Sequence, residues 1–148
     1  MKNPIYDIDV AEDGTQFEFV SEGKNGKFIK KVVIAETNYH NLYNLSLTDF
    51  NAETNYFDDL SVSNNGDTLK ILATVAQCVV YFFENYPDTR IYATGSTLSR
   101  NRLYRMGISN HYELIAIDYL IFGQSNNSWE HFQKNTNYDA FLITKNKK

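Results

Sequence analysis

The chain has 148 residues, a length that fits one domain and can bury a real core. Eighteen acids against fourteen lysines and arginines give a net charge of −4, which disfavours bulk, nonspecific polyanion binding. One cysteine excludes an intramolecular disulfide and a Cys-based zinc cluster. No basic flank leads into an apolar run near the N-terminus, and the longest apolar stretches fall far short of the roughly 20 residues that span a bilayer. A soluble cytoplasmic protein without a membrane partner is therefore expected.

In chain order, Tyr6, Ile8 and Val10 suggest a short strand. Gln16 to Glu22 alternates with Phe17 and Phe19 on one face, and Gly23-Lys-Asn-Gly26 is a compact turn. Lys27 to Glu36 follows, with Phe28, Val32 and Ile34 on a common parity, which completes a hairpin. Leu42 to Phe50 sets Tyr43, Leu45 and Leu47 against Asn44, Ser46 and Thr48, as a half-buried strand does. Residues 51–66 are polar and acidic without the regular spacing of a calcium loop, so a solvated connector is expected there.

Asp67 is positioned to cap a long helix reaching about Tyr86. Its stripe includes Leu69, Leu72, Val75, Ala76, Val79, Phe82 and Phe83 at three- and four-residue steps, and Pro87 ends it. Cys78 lies inside this stripe, where a buried, inert thiol is the expectation. Arg90 to Ala93 reads as a short strand. Ser96 or Thr97 caps a second helix running to about Met106, where Gly107 permits a break. His111 to Ala116 suggests another helical turn, and Tyr119–Phe122 and Ala140–Thr144 suggest inner strands. The sum is a single α+β domain over 1–148. It has a mixed, mainly antiparallel sheet, one long core helix and a second, arginine-bearing helix. The basic end, 145–148, is expected to be a disordered, solubilising tail.

Charge is unevenly placed. Residues 1–74 carry six lysines and twelve acids, whereas residues 75–148 carry eight basic and six acidic residues. All four arginines fall between positions 90 and 105, and no acid occurs from Thr89 to Tyr112. Within this stretch, Gly95, Ser96 and Thr97 form a turn entering a helix that bears Arg100, Arg102 and Arg105. Guanidinium groups are planar, permanently charged forks suited to phosphate or carboxylate, and a Gly-Ser turn at a helix start presents backbone N–H groups. Those six residues are the candidate anion site. An ordinary strand, turn and Ser/Thr cap is the competing explanation. On a helical projection Leu98, Leu103 and Met106 gather on one side and Arg100 and Tyr104 on the other. The apolar side is thereby expected to face the core.

Several chemistries lack their motifs. Gly23-Lys24 and Gly26-Lys27 are not followed by the hydroxyl residue a P-loop needs, and no Gly-x-Gly-x-x-Gly occurs. Nucleotidyltransferases share a Gly-Ser at a helix start but need a nearby acidic pair to hold magnesium, and Arg102-Leu-Tyr-Arg-Met-Gly107 stands here instead. His40, His111 and His131 share no metal-ligand spacing, so no metal and no cofactor is expected. Tyr104, His111 and Glu113 are secondary candidates for moving protons. Trp129, Phe132 and Tyr138 have the ring faces that single-strand binders use, although their position beside Ala140–Ile143 favours core packing.

The run Gly95-Ser-Thr-x-x-Arg100-x-Arg102-Leu-Tyr104-Arg105-Met-x-Ile108 follows Tyr86-Pro87 and a strand. Together with Phe141-Leu-Ile-Thr-Lys145, it resembles a family of small uncharacterised bacterial proteins, with its core over 86–122. That family has no assigned activity, so the resemblance implies a hallmark segment and carries no catalytic residue across. The leading expectation is a binding module for an anionic partner: RNA, a nucleotide or an acidic protein surface. A metal-independent ribonuclease of the toxin type is one alternative; the other is a purely structural or oligomerisation domain, in which Arg90, Arg100, Arg102 and Arg105 pair with acids of the N-terminal half and lock the helix onto the sheet.

Overall fold

A computed structural model describes residues 4–58 and 65–146. Among them, nine strands form one sheet and three helices pack on one of its faces. β1 (Asp9–Val10), β2 (Gln16–Gly23), β3 (Gly26–Glu36) and β4 (Leu42–Asn51) are successive antiparallel neighbours. α1 (Thr68–Asn85) then crosses over the sheet to β6 (Arg90–Ala93), which lies parallel to β4. α2 (Leu98–Asn110) and α3 (Tyr112–Asp118) follow. β7 (Tyr119–Ser125), β8 (Ser128–His131) and β9 (Ala140–Lys145) complete the order β1-β2-β3-β4-β6-β9-β7-β8. The α+β class with a mixed, mostly antiparallel sheet is as the periodicities imply.

Alternation decides which side chains enter the core. Phe17, Phe19 and Ser21 of β2, Lys30, Val32 and Ile34 of β3, and Leu45, Leu47 and Asp49 of β4 all point toward the helices. α1 answers with Ile71, Leu72, Cys78, Phe82 and Phe83. Phe82 stacks on Tyr86 at 4.8 Å and meets Tyr43 edge-on at 5.0 Å. Asp67 holds the N-cap position, but its carboxylate caps nothing. It accepts instead from the hydroxyls of Tyr6 at 2.5 Å and Ser21 at 2.6 Å, which ties the start of α1 to β2. Asn65 adds to the tie by donating to the Gly26 carbonyl and accepting from the Asn25 amide.

Four local expectations are revised. Part of the polar connector is β5 (Tyr56–Asp58), hairpinned onto β4 through Asn55 at φ 62°, while residues 59–64 lie outside the described residues. α2 runs through Gly107, because its lack of a side chain serves packing: a Cβ there would sit 3.2 Å from Leu72. β7 and β8 form a hairpin turned by Asn126 and Asn127 at φ 51° and 64°, left-handed values suited to a tight two-residue turn. Lys145 closes β9 and so belongs to the sheet, not a tail; positions 147 and 148 lie outside the described residues.

A fork in the sheet positions the candidate site. β4 pairs with β6 only over Leu42–Leu45 and, on the same edge, with β5 over Asp49–Asn51. Between these segments the Leu47 N–H donates 3.0 Å to the Tyr104 hydroxyl on α2. A side chain thus takes the place of a ladder bond, satisfying a backbone donor that burial would otherwise make costly.

Candidate functional site: the arginine helix

The Gly95-Ser96-Thr97 turn is closed onto its own helix. The Gly95 amide donates 3.2 Å to Asn101 Oδ1, and Asn101 Nδ2 donates 2.6 Å to the Tyr138 carbonyl. A Cβ on Gly95 would lie 2.3 Å from the Asn101 nitrogen, so glycine is required by contact with α2 itself. Thr97 is the N-cap; its hydroxyl accepts from the Arg100 amide at 3.1 Å. Ser96 is exposed beside them. The strand that leads into the turn is interior to the sheet, because β6 lies between β4 and β9.

The expected orientation of α2 is inverted. Arg100, Tyr104 and Ile108 form the buried stripe, whereas Leu98 is 91% exposed and Met106 is also exposed. The physical reason is a charged partner on the sheet. Arg100 Nη2 lies 2.8 Å from Asp49 Oδ2, and Lys30 Nζ, directly across the β3–β4 ladder, lies 2.5 Å from Asp49 Oδ1. All three side chains are buried. One carboxylate held between two cations makes the inward turn of Arg100 tolerable, since a buried charge needs pairing.

Arg102 and Arg105 turn the other way. Both line a surface depression of about 440 Å³ with Leu98, Ser99, Asn101 and the 137–139 segment. Arg105 donates to Asn137, and no carboxylate pairs with Arg102 among the described residues. Asp139 is the one acid in the lining. The structure therefore brings Arg102 and Arg105 together and separates Arg100 from them.

The proton-transfer candidates are dispersed. Tyr104 and His111 line a second concavity, a cleft of about 460 Å³ between α1, α2, α3 and the sheet. Its deep wall is apolar, with Leu45, Leu47, Ala93 and Ile143, each less than 9% exposed. His111 Nδ1 lies 3.0 Å from the Gly107 carbonyl. Glu113 lies elsewhere, exposed and paired with Lys134 at 2.7 Å, a contact that holds its carboxyl below the ordinary range. Cys78 is fully buried, and desolvation pushes its thiol up to about 12, so it is no nucleophile at neutral pH. Among the described residues no three His, Cys, Asp or Glu are grouped to hold a metal, and no helix is long and apolar enough to cross a membrane.

Two features at this helix escaped motif reading. Lys30 and Asp49 share the parity of their buried neighbours, and that parity was the available signal. Trp129 also parts from Phe132 and Tyr138: the latter two are core residues, while Trp129 is 41% exposed.

Fold and site together define an α+β domain with one half-covered mixed sheet and an outward basic helix face. The chain belongs to the family of unknown function DUF6934, whose model matches residues 2–146. No curated protein and no solved structure matches it.

Proposed function

We propose that the chain is a binding module for an anionic partner, which docks on the outward side of α2. The carrying observation is that Arg102 and Arg105 line one depression, with Arg102 exposed in it and Asn101 and Asn137 beside them. Planar guanidinium donors beside amides suit a phosphate or carboxylate group. RNA, a nucleotide and an acidic protein surface all offer such groups, in the cytoplasm as elsewhere. Arg100 and the Gly95–Thr97 turn support the site from behind. Titrating a labelled nucleotide, oligonucleotides and an acidic peptide at low and moderate salt tests the reading. Binding that weakens with salt and is lost in the Arg102→Ala, Arg105→Ala double variant is expected. Absence of salt-dependent binding to all of them sinks it.

A second reading rests on the cleft between the helices. This cleft opens on the covered face of the sheet, where β4 and β6 part. Its volume is that of a small-molecule site, its walls are apolar, and Tyr104 and His111 supply polar groups. Thermal-shift measurements with a series of medium-chain alcohols test it, with Ala76→Phe as the filled control. Stabilisation that grows with chain length and disappears in the control is expected; no shift with any member rejects it. The metal-independent ribonuclease alternative has its own readout, growth arrest on expression that Arg102→Ala relieves.

A further inference from the structure

The three helices leave the other face of the sheet uncovered among the described residues. Register and alternation place one row across six strands on this open face: Ala35, Asn44, Tyr92, Leu142, Phe122 and His131. Strand spacing sets Tyr92 and Phe122 on the order of 10 Å apart, two strands along this row. Trp129, one turn of the pleat away on β8, meets Tyr92 edge-on at 6.3 Å, and Phe122 lies 4.8 Å from the His131 ring. Trp129 is 41% exposed, and the Tyr92 and Phe122 rings are half-buried, not covered.

Charge on this face departs from that of the whole chain. The protein has eighteen acids, yet none projects here from β4, β6, β9, β7 or β8. Glu130, the acid within β8, turns to the covered face and accepts from the Tyr138 hydroxyl at 2.5 Å. Arg90 is exposed beside Tyr92 on β6, and Asn44, Thr144 and Gln124 add neutral hydrogen-bonding groups.

We infer that this face is a stacking platform for an unpaired segment of nucleic acid. Rings standing on a sheet can stack on bases of any sequence, and amides and hydroxyls can meet base edges. The acids that do project from this face, Asp9, Glu18 and Glu22, stand at its β1–β2 end, so repulsion of phosphates is weakest over β6, β9, β7 and β8. A second copy of the chain fits less well. Two sheets packed face to face bury interdigitating apolar side chains, whereas polar residues interrupt this patch on every strand from β4 to β7. The inference is independent of the anion reading for α2, because α2 lies on the opposite side of the sheet.

Trp129 is the only tryptophan, so its fluorescence reports on this face alone. The probes are twelve-nucleotide oligouridylate, oligothymidylate and a mixed-sequence duplex, at low and moderate salt. Saturable quenching by either single strand, with clear preference over the duplex, is expected; the two single strands separate an RNA from a DNA preference. In anisotropy measurements with labelled oligonucleotide, Trp129→Ala and Phe122→Ala should each weaken binding about tenfold. Phe122→Tyr, which keeps a ring, should retain binding. No quenching with any oligonucleotide, equal binding of the duplex, or a dimer that forms through this face and is lost in Trp129→Ala would overturn the inference.

Discussion

Arg100 and Arg102 stand two residues apart on one helix with the same charge, yet they have opposite surroundings. Arg100 is 5% exposed and touches Asp49, whereas Arg102 faces solvent in a shallow depression. The inner face of α2 is built from a guanidinium, a phenol and an isoleucine, and its outer face carries Leu98 and Met106. Hydrophobicity alone would have rotated the helix the other way. What holds it is a pair of specific polar contacts, Arg100 to Asp49 and Tyr104 to the Leu47 amide. The difference teaches that a buried charge on the sheet can outrank an apolar stripe when that stripe is weak.

The largest effect is expected at the shared carboxylate. Asp49→Ala leaves two buried cations without it and should destabilise the fold by about 3–5 kcal/mol in urea or thermal melts. Replacing the group jointly, as Lys30→Met, Asp49→Leu and Arg100→Met, should recover most of that loss, because desolvation of the charges disappears with them. Failure of the joint variant to improve on Asp49→Ala would mean that α2 is held by something other than ionic pairing.

Tyr104→Phe sharpens the comparison at the neutral contact. It keeps the ring but strands a buried N–H, so a loss of about 1–3 kcal/mol is expected, with faster hydrogen exchange at the Leu47 amide. On the outer face, Arg102→Ala should change stability by no more than about 0.5 kcal/mol. Losses of similar size at Asp49 and Arg102 would erase the distinction between the two faces.

Cys78 offers the smallest effect, none at neutral pH. Its thiol is raised by burial from an ordinary 9.0 to about 12. Native-state protonation is therefore favoured, and the linked stability is fully present below pH 9 and is lost as pH rises toward 12. At pH 8 the native protein should resist a disulfide thiol reagent that reacts promptly once the chain is unfolded. Prompt reaction of the native protein would show that the covered face is open to solvent at α1.

Much of the architecture was legible because it rests on local periods. Phe17 and Phe19 alternate, Leu72, Val79 and Phe83 recur at helical spacing, and Pro87 stops α1 as its missing N–H requires. Even the buried charges left a local trace. Lys30 stands between Phe28 and Val32 on the core parity of β3, and Asp49 follows Leu45 and Leu47 on that of β4. Read strictly, alternation marks both as inward.

Only the tertiary structure decided which partner each polar group met. Lys30 and Arg100 reach Asp49 from 19 and 51 residues away, and no local pattern reports such a pairing. The same holds for Trp129 and Phe132, three residues apart. The two-residue Asn turn carries Trp129 onto the open face, while the chain leaving β8 folds Phe132 back against Tyr138 and Phe141 in the core. Composition and period determined which elements form and which strand faces are apolar, since those depend on neighbours in sequence. The rotation of α2, the fork at β4 and the second face of the sheet, uncovered among the described residues, arise from contacts between distant segments, whose free energies no local repeat encodes.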